Sequence, residues 1–162
     1  TSTEVFMQIS DFCKEHNVAY LDILVEELLN IENQGVLINR VAEITDERVL
    51  YLLGYSYNWD NGFAVPKAII KNPNCHLSTA LALFYLADGT RYLKDKSDVE
   101  KNGLTSWKNF IVELYEKIVG GYFEKSNIGF IPPLSKVEQY KLKKLLDLSE
   151  YVFIEKIDGE NL

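Results

Sequence analysis

The sequence predicts an all-α fold, an irregular orthogonal bundle of about eight helices, on three observations. Apolar residues recur at helical spacing nearly throughout. Single cap- and turn-forming residues, rather than long polar linkers, separate the periodic stretches. One run, residues 77–87, is apolar almost all round, which marks a helix buried among others. A short solenoid of stacked helical hairpins is the competing architecture, and no internal repeat supports it. With 162 residues, 47% of them hydrophobic, residues 1–162 are expected to form a single domain whose core needs no disulfide or metal.

The first helix is expected over 3–15, with Val5, Phe6, Ile9, Phe12 and Cys13 on one face. Thr1 or Ser2 caps it, since a side-chain oxygen there satisfies an otherwise orphaned amide. The second spans 20–33. Leu21, Leu24, Leu28 and Ile31 face inward, and Asp22, Glu26, Asn30 and Asn33 line the opposite side. Gly35 separates it from a short helix around Leu37, Val41 and Ile44. Thr45 reads as the next N-cap, with Asp46 and Glu47 complementing the dipole of a helix carrying Val49 to Leu53.

Asp60-Asn61-Gly62 is a turn signal, because Asn and Gly tolerate positive φ. A short helix over 63–71 accommodates Pro66, since first-turn amides have no intrahelical acceptor to lose. Asn72-Pro73-Asn74 ends it, because the residue before a proline is pushed out of the α region. Ala80, Ala82 and Ala87 let neighbours approach the central helix closely, and Gly89 is expected as its left-handed cap. A polar loop over 94–103 leads into a long helix over 106–122, with Trp107, Phe110, Ile111, Leu114, Ile118 and Tyr122 inward. Gly120-Gly121 frays or ends it. Pro132-Pro133 is an extended connector, and Ser135-Lys136-Val137-Glu138 has capping-box spacing for a last helix over 136–148. The tail, 151–154, reads as a short strand or a docked extended segment.

The net charge of −7 is unevenly placed. Residues 1–60 hold eleven acidic and three basic side chains, whereas residues 61–162 hold thirteen and fourteen. Such a segment repels a phosphate backbone and attracts a basic protein, so direct nucleic-acid binding is not expected. A solvated face that keeps the protein soluble is the plain alternative. No apolar run is long enough to span a bilayer, and no basic segment leads into an apolar one at the start. Neither membrane association nor an export signal is expected, and the cytoplasm is the expected compartment. Cys13 and Cys75 read as buried thiols in a reducing environment, not as a bridge.

Signals for chemistry are sparse. Cys13, His16, Cys75 and His76 are four candidate zinc ligands, but adjacent Cys75-His76 is poor spacing and Cys13 falls on an apolar stripe. A cysteine nucleophile would need one of the two histidines beside it and a third group to orient the base. No nucleophile elbow, phosphate-cradling glycine loop or zinc-helix motif occurs. Asp88, at the end of the apolar helix, opposes the helix dipole, and a local pair with Arg91 is the expected reason. No catalytic residue, cofactor or metal is therefore assigned. The ten tyrosines favour recognition. Tyr85 and Tyr115 are expected in or beside the core, and Tyr20 at the surface.

One central string stands apart. Tyr57-Asn58-Trp59-Asp60-Asn61-Gly62-Phe63, Pro66-Lys67-Ala68-Ile69, Asn72-Pro73-Asn74-Cys75, Thr79-Ala80-Leu81 and Phe84-Tyr85-Leu86-Ala87-Asp88-Gly89 together resemble a bacterial family. It is a family of helical domains of unknown function, associated with immunity proteins encoded beside polymorphic toxins. The likeness covers residues 57–93. Where the family pattern has an acidic cap and a glycine before Thr79, this chain has His76 and Ser78.

The resemblance implies that these motif residues are scaffold, so the partner surface lies elsewhere, and the charge distribution nominates the first third. The expectation is an immunity protein that binds and neutralises a cognate toxin domain, a basic protein and by expectation a nuclease. An enzyme that holds phosphates must be basic, and an acidic inhibitor can occlude the same surface. The expected contacts are Tyr20, Asp22, Glu26, Glu27, Asp46 and Glu47. Two other readings stay open. A small enzyme would use the aromatic turn with Trp59, Asp60 and Asp88, and would need a pocket beside Trp59. A protein-binding adaptor would have no inhibitory role.

Overall fold

A computed structural model of the chain describes residues 20–162. The expected helix over 3–15, with Cys13 and His16, lies outside the described residues. The described chain is an all-α multi-helix bundle. Its α-helices are α1 (Leu21–Leu29), α2 (Gln34–Glu43), α3 (Glu47–Ser56), α4 (Ala64–Lys71), α5 (Leu77–Leu86), α6 (Gly89–Lys94), α7 (Asp98–Lys101), α8 (Thr105–Val119) and α9 (Lys136–Leu145). Two 3-10 helices, Trp59–Asn61 and Leu148–Phe153, complete it. Among the described residues the only β pairing is two isolated bridges, Ile128 with Glu160 and Phe130 with Ile157.

Helix α5 is the centre. Every residue from Ser78 to Phe84 is buried, as an apolar run without a polar face requires. Helix α3 packs on one side of it and α8 on another, α1 packs outside α3, and α2 packs on α4. The α8 stripe is as expected: Trp107, Phe110, Ile111, Leu114 and Ile118 are all buried. Tyr122 is not part of it. The helix stops at Gly120, Gly121 adopts φ 73°, and Tyr122 is 58% exposed.

Local sequence chemistry sets most helix ends. Asn33 caps α2, its side chain accepting from the Val36 amide at 3.0 Å, so Gly35 lies in the first turn and not between helices. Asp46, not Thr45, caps α3. Asn72 does more than stop α4. It is buried, and its side-chain amide donates to the carbonyls of Val41 at 2.8 Å and Ile44 at 2.9 Å, answering the orphan acceptors at the end of α2. The Ser135–Glu138 capping box forms, but α9 ends at Leu145, because Asp147 and Glu150 form a second box opening the 3-10 helix. The tail over 151–154 is thus helical, neither strand nor extended. The segment after it carries the bridge residues Ile157 and Glu160.

The expected left-handed cap is displaced by one residue. Asp88 takes φ 61°, the one non-glycine with positive φ among the described residues. Gly89 is needed for space. A Cβ there would lie 2.3 Å from two atoms of the buried Phe84 ring. The expected polar loop over 94–103 instead contains α7 and the end of α6. Arg91 pairs through Nε and Nη2 with Asp98, not Asp88.

Two predictions follow from packing. Gly89→Ala should destabilise the fold by about 1–3 kcal/mol, since overpacking a filled core forces backbone shifts; urea denaturation reads it, and an unchanged midpoint contradicts it. The second concerns Glu150, buried against the Tyr115 hydroxyl at 2.6 Å and the Lys96 ammonium at 2.7 Å. Burial alone would raise its carboxyl pKa, but these two donors and the Asp147 amide together hold it below the ordinary glutamate value. A depressed carboxyl stabilises the fold above its unfolded pKa, and that contribution fades as pH falls through the folded value. Glu150→Gln should therefore flatten the loss of stability below pH 4.5, measured by thermal melts across pH. An unaltered slope counts against it.

Candidate functional site

The six residues nominated from sequence divide by where their side chains go. Asp22, Glu26 and Glu27 are exposed on α1. Helical spacing brings them round Ile23, itself 45% exposed, because residues three and four apart share a face. Asp22 lies in the first turn, where a negative charge suits the dipole. Glu26 and Glu27 lie in the last turn, which holds no basic residue. There each opposes the dipole at a cost of about 0.3–1 kcal/mol. Tyr20 precedes α1, half-buried and packed against the core.

Asp46 and Glu47 are engaged within the molecule. One Asp46 carboxylate oxygen accepts from the Arg48 amide at 3.0 Å, and the pair binds the Arg48 guanidinium through Nε and Nη2, the latter at 2.8 Å. Glu47 is turned under the surface, its side chain 10% exposed. Its Oε2 accepts from the Thr79 hydroxyl and the Ser126 hydroxyl, both at 2.8 Å, and from the His76 amide at 3.2 Å. Its Oε1 faces His76 Nδ1 at 3.5 Å. The bulk of this arrangement escaped sequence reasoning, although one signal for it was visible. Ser78 and Thr79 interrupt an otherwise apolar buried run, and buried hydroxyls require partners.

One concave region adjoins these residues and another lies apart from them. A polar cleft of about 370 Å³ lies over Asp46, Arg48, His76 and Glu160, with Glu160 3.7 Å from the Arg48 guanidinium. A larger, more apolar cleft of about 550 Å³ is walled by Trp59, Phe63, Leu104 and Trp107, with Asp88 and Arg91 at its edge. Trp59 packs edge-on against Phe63 and Phe110, which stack on each other. Both indole N–H groups are used internally. Trp59 donates to Gly54 O at 3.1 Å and Trp107 to Ala87 O at 2.7 Å. The cleft brings together Trp59 and Asp88 of the expected enzyme site, while Asp60 sits on the exposed turn outside its lining.

Nothing here activates the described cysteine. Cys75 is buried, and burial pushes its thiol pKa up, as does the nearby Glu47 charge. Its sulfur meets the His76 carbonyl oxygen, not the imidazole. Among the described residues, no group of three or more His, Cys, Asp or Glu side chains could hold a metal ion. Likewise, no described helix is long and apolar enough to cross a membrane.

The split between inward and outward acids is measurable. Glu47→Ala strands two hydroxyls and an amide and should cost about 2–3 kcal/mol. Glu26→Ala removes a solvated charge that opposes the helix dipole and should leave stability unchanged or raise it by up to about 1 kcal/mol. Equal effects in chemical denaturation would contradict this division.

Comparison with curated proteins and comparison with solved structures each found no match. A protein-family model described as a domain of unknown function (DUF4274) does match, over residues 45–119. That stretch runs from the cap of α3 to the end of α8, so it includes Glu47, Trp59, Asp88 and Trp107 and excludes the α1 acids. Residues 45–119 of this chain are thus similar to that family of domains of unknown function.

Proposed function

We propose that the protein is an immunity protein that binds and neutralises a basic bacterial toxin domain, with the outward face of α1 as its docking surface. The observation that carries the reading is the placement of Glu26 and Glu27, exposed in the last turn of a helix that their charges destabilise. Acids kept where they weaken their own helix fit a role outside the fold. The surroundings support it. Between residues 20 and 44 the acids are Asp22, Glu26, Glu27, Glu32 and Glu43, all exposed, and the one base, Arg40, is half-buried. Ile23 supplies an apolar centre, and a charged rim around an apolar contact is the usual anatomy of a specific interface.

A nuclease is the toxin class such a surface suits best. Its substrate site must be positive, so a negative inhibitor is steered towards that site and covers it. Asp46 and Glu47 fall away from the expected contact set, since their carboxylates serve the fold. Tyr20 is kept as a flank of the surface.

The test pairs this protein with the product of the neighbouring gene. A stoichiometric complex that rescues growth from the toxin is expected, associating more slowly as salt rises. Joint reversal, Glu26→Lys with Glu27→Lys, should lower the association rate about tenfold or more without lowering the melting temperature, since lysines suit the end of α1. Unchanged association and protection would remove α1 as the docking surface. A complex with a harmless partner would favour the adaptor reading instead.

A further inference from the structure

We propose that the cleft between Trp59 and Trp107 is a binding site for a small organic cation with a flat apolar body, its positive charge answered by Asp88. This is independent of the docking surface on α1. The cleft, about 550 Å³, falls within the range of small-molecule sites. Its walls are chemically one-sided. Because both indole N–H groups are bonded to backbone carbonyls, the aromatic wall offers ring surface and no spare indole donor. Leu104, 53% exposed, extends the apolar rim. Such a lining selects an apolar or aromatic body.

Charge then chooses among ligands. Arg91 is already committed. It pairs with Asp98 through two nitrogens, and its guanidinium lies 5.3 Å from the Trp107 ring centroid. An anion would have to compete with Asp98 for it. Asp88 is different. It is exposed, makes no ion pair among the described residues, and caps no amide. A cation entering the cleft therefore meets one unanswered negative charge beside the half-buried Trp59 ring, the Trp107 ring being already faced by Arg91.

The backbone at this position adds a second argument. Asp88 occupies the left-handed region, which glycine adopts without cost. It stands between the end of α5, whose dipole a negative charge opposes, and the start of α6, whose dipole favours it, and its side chain bonds no amide there. The pair with Arg91 that would have justified an acid here does not form. An acid with no bonded partner, in a backbone conformation that glycine would adopt more easily and among the residues lining an apolar cleft, fits functional placement.

Fluorescence reads this cleft alone, because the chain's two tryptophans, Trp59 and Trp107, both line it. The 162-residue chain is titrated at pH 7 and constant ionic strength with 2-phenylethylammonium, 2-phenylethanol and phenylacetate. The ammonium should give a saturable change with affinity about tenfold or more above the alcohol, and the acetate should bind weakest. Asp88→Asn, which keeps a side chain tolerant of positive φ, should abolish the preference for the ammonium, with a thermal melt confirming the fold. Leu104→Ala should weaken ammonium and alcohol alike. Absence of a saturable response to the ammonium overturns the proposal, as does equal binding of the alcohol. So do tighter binding of the acetate and a preference that survives in Asp88→Asn.

Discussion

The structure depends on how a helix buried on every side satisfies the polar groups at its own start. Ser78 and Thr79 are fully buried in the first turn of α5, and an unmet hydroxyl or amide there would cost about 1–3 kcal/mol. Glu47 answers Thr79 directly and Ser78 through a relay. The Ser78 amide donates to the Ser126 hydroxyl, which donates to Glu47. The Ser78 hydroxyl in turn donates to the Ile128 carbonyl at 2.6 Å. One carboxylate thereby joins α3, α5 and the segment that follows α8. That segment is also where Ile128 and Phe130 meet the C-terminal bridges, so the tail is tied to the same knot.

This use of Glu47 reshapes the electrostatic picture. The acidic excess of the first third is not one surface. Asp46 is neutralised by Arg48 and Glu47 is drawn inward, while Asp22, Glu26 and Glu27 stay in solvent. The matched family region contains the inward pair and stops short of the outward set. Of the polar knot, Glu47, Ser78 and Thr79 fall inside that stretch and Ser126 and Ile128 beyond it, while the aromatic cleft lies wholly within it.

What could be read from the sequence was whatever local periodicity encodes. The α8 stripe from Trp107 to Ile118, the buried 77–87 run and the Ser135–Glu138 box each declare themselves within a few residues. The misreadings share one cause, which is that the deciding contact is distant in the chain. Glu47 looks like a solvated helix-start acid until Thr79 and Ser126, 32 and 79 residues away, are seen to close on it. Gly89 looks like a left-handed cap until the Phe84 ring is seen to fill the space of its Cβ, with the positive φ at Asp88 instead. Arg91 looks like the partner of Asp88 until α7 delivers Asp98. Asn72 announces a helix stop, but nothing local announces that its amide reaches back to Val41 and Ile44.

A double-mutant cycle between Glu47 and Ser126 tests the polar knot most directly. Glu47→Ala, Ser126→Ala and the double variant are compared by urea denaturation. Residues sharing a buried hydrogen bond couple by roughly 0.5–3 kcal/mol, and a favourable coupling of that size is expected here. Additive losses would mean that the carboxylate and the hydroxyl act separately, and would contradict the relay from Ser78 through Ser126 to Glu47.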